Sequence, residues 1–455
     1  VEARLGGYSG PGNAPVSILD GIGERVRDAR FAPGPGRSVD PFPTVPADRL
    51  SSAVDGESGE GLRGEYWSNP HFEGEPTILR RDPRVDFRWT LSSPGRGIPI
   101  DWYAARWTGT LTAGDSPVHR LGIEGDDGYR LWLDGELLVD DWEKRGSGTR
   151  VAAVDLAPGS AHEIRLEYFE TTGNAKLRLV WDAGADPEAA ATAAIDSAVA
   201  LARASDVAVV VAGIEEGEFR DRASLGLPGR QEALIRAVAA TGTPVVVVLV
   251  GGSAITMPWL DEVGAVLMAW YPGEVGGGAV ADVLFGGVNP AGRLPITFPA
   301  AEGQLPLTYD HHPTGRGDDY VDLSGRPLFP FGYGLSYTRF EYSDLTVEPA
   351  QIPPDGHATV RIRVRNTGGR PGDEVVQLYL HDELASVTRP VQQLAGFRRI
   401  RLAPGEEREV AFELGPAQLR MLDAEMRWVV EPGAFRLGVG GSSRDIRARG
   451  TLEVR

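Results

Sequence analysis

The chain has no cysteine among its 455 residues, so neither a disulfide framework nor thiolate chemistry is open to it. That absence leaves the compartment undecided. No apolar run approaches the roughly 18 residues that read as a membrane-spanning helix, so no membrane partner is expected. The most apolar stretch, VVVVLVGG from Val245, has the length of a buried strand. Basic charge is scarce as well. Lys and Arg total 46 against 64 Asp and Glu, a net charge of −18, which argues against a nucleic-acid partner because phosphate binding needs a basic face. There is no GxGxxG or P-loop spacing for a nucleotide. His311 and His312 have no metal-ligand spacing, and no cofactor is expected. The opening VEARLGGYSG lacks an initiator Met and a signal-peptide apolar segment, and reads as the middle of something longer.

What is present describes a globular protein, with 42% hydrophobic and 24% charged residues, and the length suggests two to four domains. Residues 187–300 alternate helical and strand patterns. PEAAATAAIDSAVALARAS (187–205) and QEALIRAVAA (231–240) are helical, while DVAVVVAG (206–213), TPVVVVLVGG (243–252) and VGAVLMAW (263–270) are β-branched runs. That texture predicts a parallel sheet covered on both faces. Residues 61–183 carry short alternating runs such as YRLWLDG, HEIRLEYFE and KLRLVW between Gly, Asp and Pro turns, which predicts an antiparallel β-sandwich. A second sandwich is predicted after 340, where Val360, Ile362 and Val364 alternate with arginines. The first 60 residues are Gly/Pro-rich, with a helix expected in DGIGERVRDA (20–29) and a connector at 31–46.

Several segments together resemble glycoside hydrolase family 3, especially its β-glucosidases. AWYPGEVGGGAVADVLFGGVNPAGRLPITFP (269–299) is similar to the long motif of the family's α/β sandwich domain, and EGEFRDRASLGLPGRQ (216–231) to its acid/base loop. TGRGDDYVDLSGRPLFPFGYGLSYT (314–338) resembles the connection into a fibronectin type III-like domain. LGGYSGPG with VSILDGI (5–22) resembles an early part of the α/β domain. GLRGEYW and IEGDDGYRLWLDG separately resemble the protective-antigen-type β-sandwich inserted in some members. The implied architecture is multidomain α/β plus all-β. An α/β sandwich domain with a parallel sheet holds 1–60 and 184–312, interrupted by the inserted antiparallel β-sandwich at 61–183. A linker at 313–340 leads to the fibronectin type III-like β-sandwich at 341–455. The family's N-terminal (β/α)₈ barrel, which carries the aspartate nucleophile, has no counterpart in the sequence. It would have to come from the same polypeptide or another chain.

The resemblance implies hydrolysis of terminal β-D-glucosides, with a carbohydrate substrate and half of the active site here. Retaining glycosidases need two carboxyl groups about 5–5.5 Å apart, one attacking and one donating a proton. A loop just past the end of a parallel strand suits the proton donor, and Glu215, Glu216 and Glu218 follow DVAVVVAG immediately. By resemblance the acid/base is Glu218, three residues before Asp221 and Arg222, with Glu216 the rival. Asp221 and Arg222 are expected to hold the loop. Gly276 to Gly278 read as a place where a helix begins close to another backbone. Trp270 and Tyr271 suit either sugar stacking or core packing. Asp126 and Asp127 suit a turn between strands, or the calcium site of some protective-antigen-type domains. A β-xylosidase of the same family, or a non-catalytic carbohydrate-binding protein, remains open. The oligomeric state is not legible, and secretion would suit a sugar hydrolase without a signal segment to show it.

Overall fold

The structure is a computed structural model describing residues 14–37, 42–89, 92–115, 117–182, 187–217, 221–314 and 318–455. Three strands, Ala208–Gly213, Val245–Val250 and Ala265–Trp270, form a parallel sheet in that order. Continuous Val and Leu in the middle strand reflect burial on both faces. Val247 and Leu249 pack toward helices Pro187–Arg203 and Gln231–Ala239, and Val248 and Val250 toward Ile18 and Val280.

The helix expected at 20–29 is instead Ile18–Gly23, started by a capping box in which Ser17 and Asp20 bind each other's backbone N–H. It lies against the helix Gly276–Leu284 at a spacing only glycine permits. A Cβ on Gly21 would stand 2.2 Å from the Gly277 carbonyl oxygen, and one on Gly277 would stand 1.9 Å from that of Ser17. This contact puts the segment from Val16 to Arg25 into the α/β unit, and Arg30 still donates to the Ala204 carbonyl, so the sandwich between these residues and the helix Pro187–Arg203 is an insertion.

That insertion is a two-sheet antiparallel sandwich. An eight-stranded sheet faces a four-stranded sheet built from Gly148–Leu156, Val118–Gly125, Lys176–Trp181 and Asp86–Arg88. Its core is rich in fully buried aromatics, among them Tyr66, Trp107, Tyr103 and Tyr168. The boundary expected at 61 comes too late. Leu50–Val54 already pairs with Glu57–Glu60 and with Tyr103–Thr112, and Thr44 bridges to Val180. The early strands LSSAV and ESGE alternate poorly and bury only Leu50, so their sequence carries little strand signal.

After residue 340 a three-stranded and a five-stranded sheet enclose the second sandwich core. In Ala358–Asn366, Val360, Ile362 and Val364 are fully buried while the arginines between them face outward, the period-two pattern expected. No helix among the described residues is long and apolar enough to cross a membrane.

Candidate active site

The three parallel strands deliver their carboxyl ends to one place. Gly213 ends the first strand, and a Cβ there would stand 2.0 Å from the Val250 carbonyl oxygen. Ile214 follows, fully buried and donating its N–H to that same carbonyl at 2.9 Å. Gln231 closes the base of the loop. Its buried amide accepts from the Gly213 N–H at 2.8 Å and donates to the carbonyls of Gly213 and Pro228 at 2.9 and 3.0 Å. One side chain thus ties Gly213 to Pro228.

Glu216 lies where the other two strand ends converge. Its backbone N–H donates to the Tyr271 hydroxyl at 3.0 Å, just past the third strand. Its Oε2 accepts from the Gly252 N–H at 3.0 Å, just past the second strand. Its Oε1 accepts from the Ser253 hydroxyl and from Arg222 Nε at 3.3 Å. Arg222 also donates to Ser253 Oγ at 2.9 Å and to the Gly226 carbonyl at 3.3 Å. Arg222 therefore holds the loop, as expected, by pairing with Glu216. Gly252 allows this approach, since a Cβ there would stand 2.8 Å from both Glu216 Oε2 and the Tyr271 ring. Burial raises the Tyr271 hydroxyl above its ordinary pKa, so it stays protonated beside these charges.

The neighbouring Glu215 is held from outside the α/β unit. Arg88, in the inserted sandwich, donates to its Oε1 at 3.1 Å, and Arg37 places Nη1 3.8 Å from its Oε2. Past the loop, a hydrogen bond from the Ser224 side chain, together with one from the Leu225 N–H, holds the Glu302 carboxyl below the ordinary range. Glu218 lies outside the described residues. Of the two candidates, only Glu216 can be placed, and both its oxygens already receive protein donors.

The chain thus combines an α/β unit with an acidic loop at its strand ends, an inserted sandwich touching that loop through Arg88, and a C-terminal sandwich. Residues 1–337 match the Glycosyl hydrolase family 3 C-terminal domain. The chain belongs to glycoside hydrolase family 3. Residues 374–443 of this family 3 chain match a Fibronectin type III-like domain. A β-glucosidase of Rhizobium radiobacter is 35% identical over 449 residues, covering 88% of this chain and 52% of the relative. A β-xylosidase of Formosa agariphila is 42% identical over 275 residues, covering 59% of this chain and 38% of the relative. The crystal structure of a Kluyveromyces marxianus β-glucosidase in complex with glucose superposes with a TM-score of 0.74 at 27% identity, covering 99% of this chain and 57% of that one. The chain spans about half the length, or less, of these relatives.

The other singled-out residues lie elsewhere. Trp270 packs edge-on against Phe298 with ring centroids 6.1 Å apart. Gly277 makes the close helix approach described above. Asp126 and Asp127 form the turn between Val118–Gly125 and Gly128–Leu133, which belong to opposite sheets of the inserted sandwich. Asp127 accepts from the Thr171 N–H at 2.7 Å and its hydroxyl at 2.6 Å. Among the described residues, no three His, Cys, Asp or Glu are grouped to hold a metal. His311 and His312 line a cavity of about 890 Å³ at the junction with the C-terminal sandwich, which no described residue of the acidic loop lines. The sequence reading missed Gln231, Gly252, Ser253, Arg37 and Arg88. Only GG-S after a buried strand hinted at any of them.

Proposed function

We propose that this chain supplies the acid/base half of a β-glucosidase active site. Retaining hydrolysis of terminal β-D-glucosides would use Glu218 as general acid and then base, with the nucleophile on a (β/α)₈ barrel absent from this chain. The observation that carries this reading is the convergence of three strand ends on an acidic loop, where open α/β sheets bind ligands. Glu216 is less suited to the role, because its oxygens are occupied by Ser253, Arg222 and the Gly252 N–H. Its task is to fix the loop so that Glu218 can be presented. The greater length of the relatives supports a missing partner domain. So do Val211 in the outer strand of the sheet and Val207 just before it, 48% and 53% exposed.

In the first step the Glu218 carboxyl gives its proton to the leaving glycosidic oxygen as the nucleophile attacks the anomeric carbon. In the second, its carboxylate takes a proton from the water that releases the sugar. The Formosa agariphila relative favours a second reading, β-xyloside hydrolysis with the same division of labour. The inserted sandwich, meeting the acidic loop through Arg88, would limit substrates to small glycosides. Rates on glucosides of increasing chain length, with and without the sandwich, test that limit.

The decisive experiment uses the enzyme carrying this chain together with its nucleophile domain. Glu218→Ala should abolish hydrolysis of glucosides with poor leaving groups, and azide should restore turnover of activated ones. Glu216→Ala should lose activity on both without azide rescue. The reverse pattern would give the role to Glu216.

A further inference from the structure

We infer that Arg88 of the inserted sandwich is a positioning residue for the acid/base loop, acting through Glu215; this rests on the assignment of Glu218 above. Glu215 lies between Ile214, locked to the Val250 carbonyl, and Glu216, locked by three chain segments. Adjacent carboxylates repel, so an ordered Glu215 needs opposite charge. Arg88 and Arg37 supply it from two segments that lie outside the parallel sheet.

Arg88 is mounted rigidly. It ends the short strand Asp86–Arg88, whose backbone pairs with Lys176–Arg178. Its neighbours Phe87 and Trp89 point the other way and stack with ring centroids 4.4 Å apart at 14°. The Trp89 N–H donates to the Ala175 carbonyl at 2.8 Å. Alternation along the strand therefore turns Arg88 outward, toward Glu215, while the aromatics anchor its backbone in the core.

The pair is 39% and 27% exposed, so it contributes little to folding stability. Its geometry has a different consequence. A general acid misplaced by a fraction of an ångström loses efficiency only where protonation of the leaving group matters. The inserted sandwich is then part of the catalytic apparatus, besides standing at its entrance.

The test compares Arg88→Met, Glu215→Gln and the double variant in the enzyme that contains this chain with its nucleophile domain. Each single variant should lower kcat roughly ten- to hundredfold for alkyl glucosides, while dinitrophenyl glucoside stays within about twofold. The double variant should be no worse than either single one. Arg88→Lys, keeping the charge, should recover part of the loss. Equal losses for both leaving groups, or additive losses, would overturn the inference. Glu218→Ala run alongside separates the two claims. If it shows no leaving-group dependence, the acid assignment fails. In this chain alone, Arg88→Met should speed hydrogen exchange at the Glu216 and Gly252 amides without moving the unfolding midpoint; unchanged exchange overturns the positioning role whatever the identity of the acid.

Discussion

Two acidic clusters in this chain are built on opposite principles. At the strand ends, Glu215 and Glu216 meet Arg37, Arg88 and Arg222, so each carboxylate faces a guanidinium. In the inserted sandwich, Glu170 is buried, accepts from the Tyr168 hydroxyl, and leaves Oε1 without a hydrogen-bond partner. No cation among the described residues pairs with it. Burial, aided by the nearby Asp127, Asp126 and Asp101, pushes its carboxyl up to about 8. Burial and Asp127 push Asp126 up to about 6. The matched cluster keeps each carboxylate paired and partly exposed at the strand ends, which suits a site. In the unmatched one Glu170 keeps its proton at neutral pH inside a core, which suits structure and makes it pH-sensitive.

Removing the matching charge tests this contrast most severely. Arg222→Ala strips Glu216 of its guanidinium and leaves Ser253 and the Gly226 carbonyl short of a donor. It should cost the α/β unit about 2–3 kcal/mol in denaturant unfolding. Activity of the enzyme containing the chain should fall at least as far as in Glu216→Ala. Gln231→Ala opens the base of the loop by removing three hydrogen bonds from a buried amide. A loss of about 1–3 kcal/mol is expected, measured the same way.

The unmatched cluster yields a pH effect of known sign. Glu170 keeps its proton in the folded state up to about 8, whereas the unfolded chain releases it near 4.5. Its contribution is fully present below the lower value and declines as pH rises toward the higher one. Glu170→Gln, neutral at every pH, should therefore melt higher than the parent at pH 8 and close to it near pH 4.5. Asp126 remains and keeps a smaller decline in the same direction. Thermal unfolding followed by tryptophan near-UV circular dichroism across this range decides it. Curves that stay parallel would return Glu170 to an ordinary carboxyl. The smallest effect belongs to Arg88→Met, whose half-exposed pair should shift stability by less than about 1 kcal/mol.

Much of the scaffold was legible because local pattern and burial agree. The runs AVVVAG, VVVVLV and AVLMAW became parallel strands as their apolar texture suggests, though only the middle one is buried on both faces. VRIRVR became a half-buried strand for the same local reason. The beginning of the inserted sandwich was not legible, because LSSAV and ESGE pair through backbone groups while most of their side chains stay outside the core. The helix at Ile18–Gly23 ended short of its expected reach, its position fixed by the glycine contact with Gly276–Leu284.

The sequence by itself determined the absence of thiol chemistry, the acidic balance, the three textures and the acidic run at Glu215, Glu216 and Glu218. These follow from residue identity or from periods of two and 3.6, which act over a few neighbours. Only the tertiary structure decided that Glu216 is taken up by Tyr271, Gly252, Ser253 and Arg222, and that Glu215 is gripped by Arg37 and Arg88. A hydrogen bond needs two atoms within about 3 Å. Segments more than a hundred residues apart reach that distance only when a sheet and an inserted sandwich bring them there.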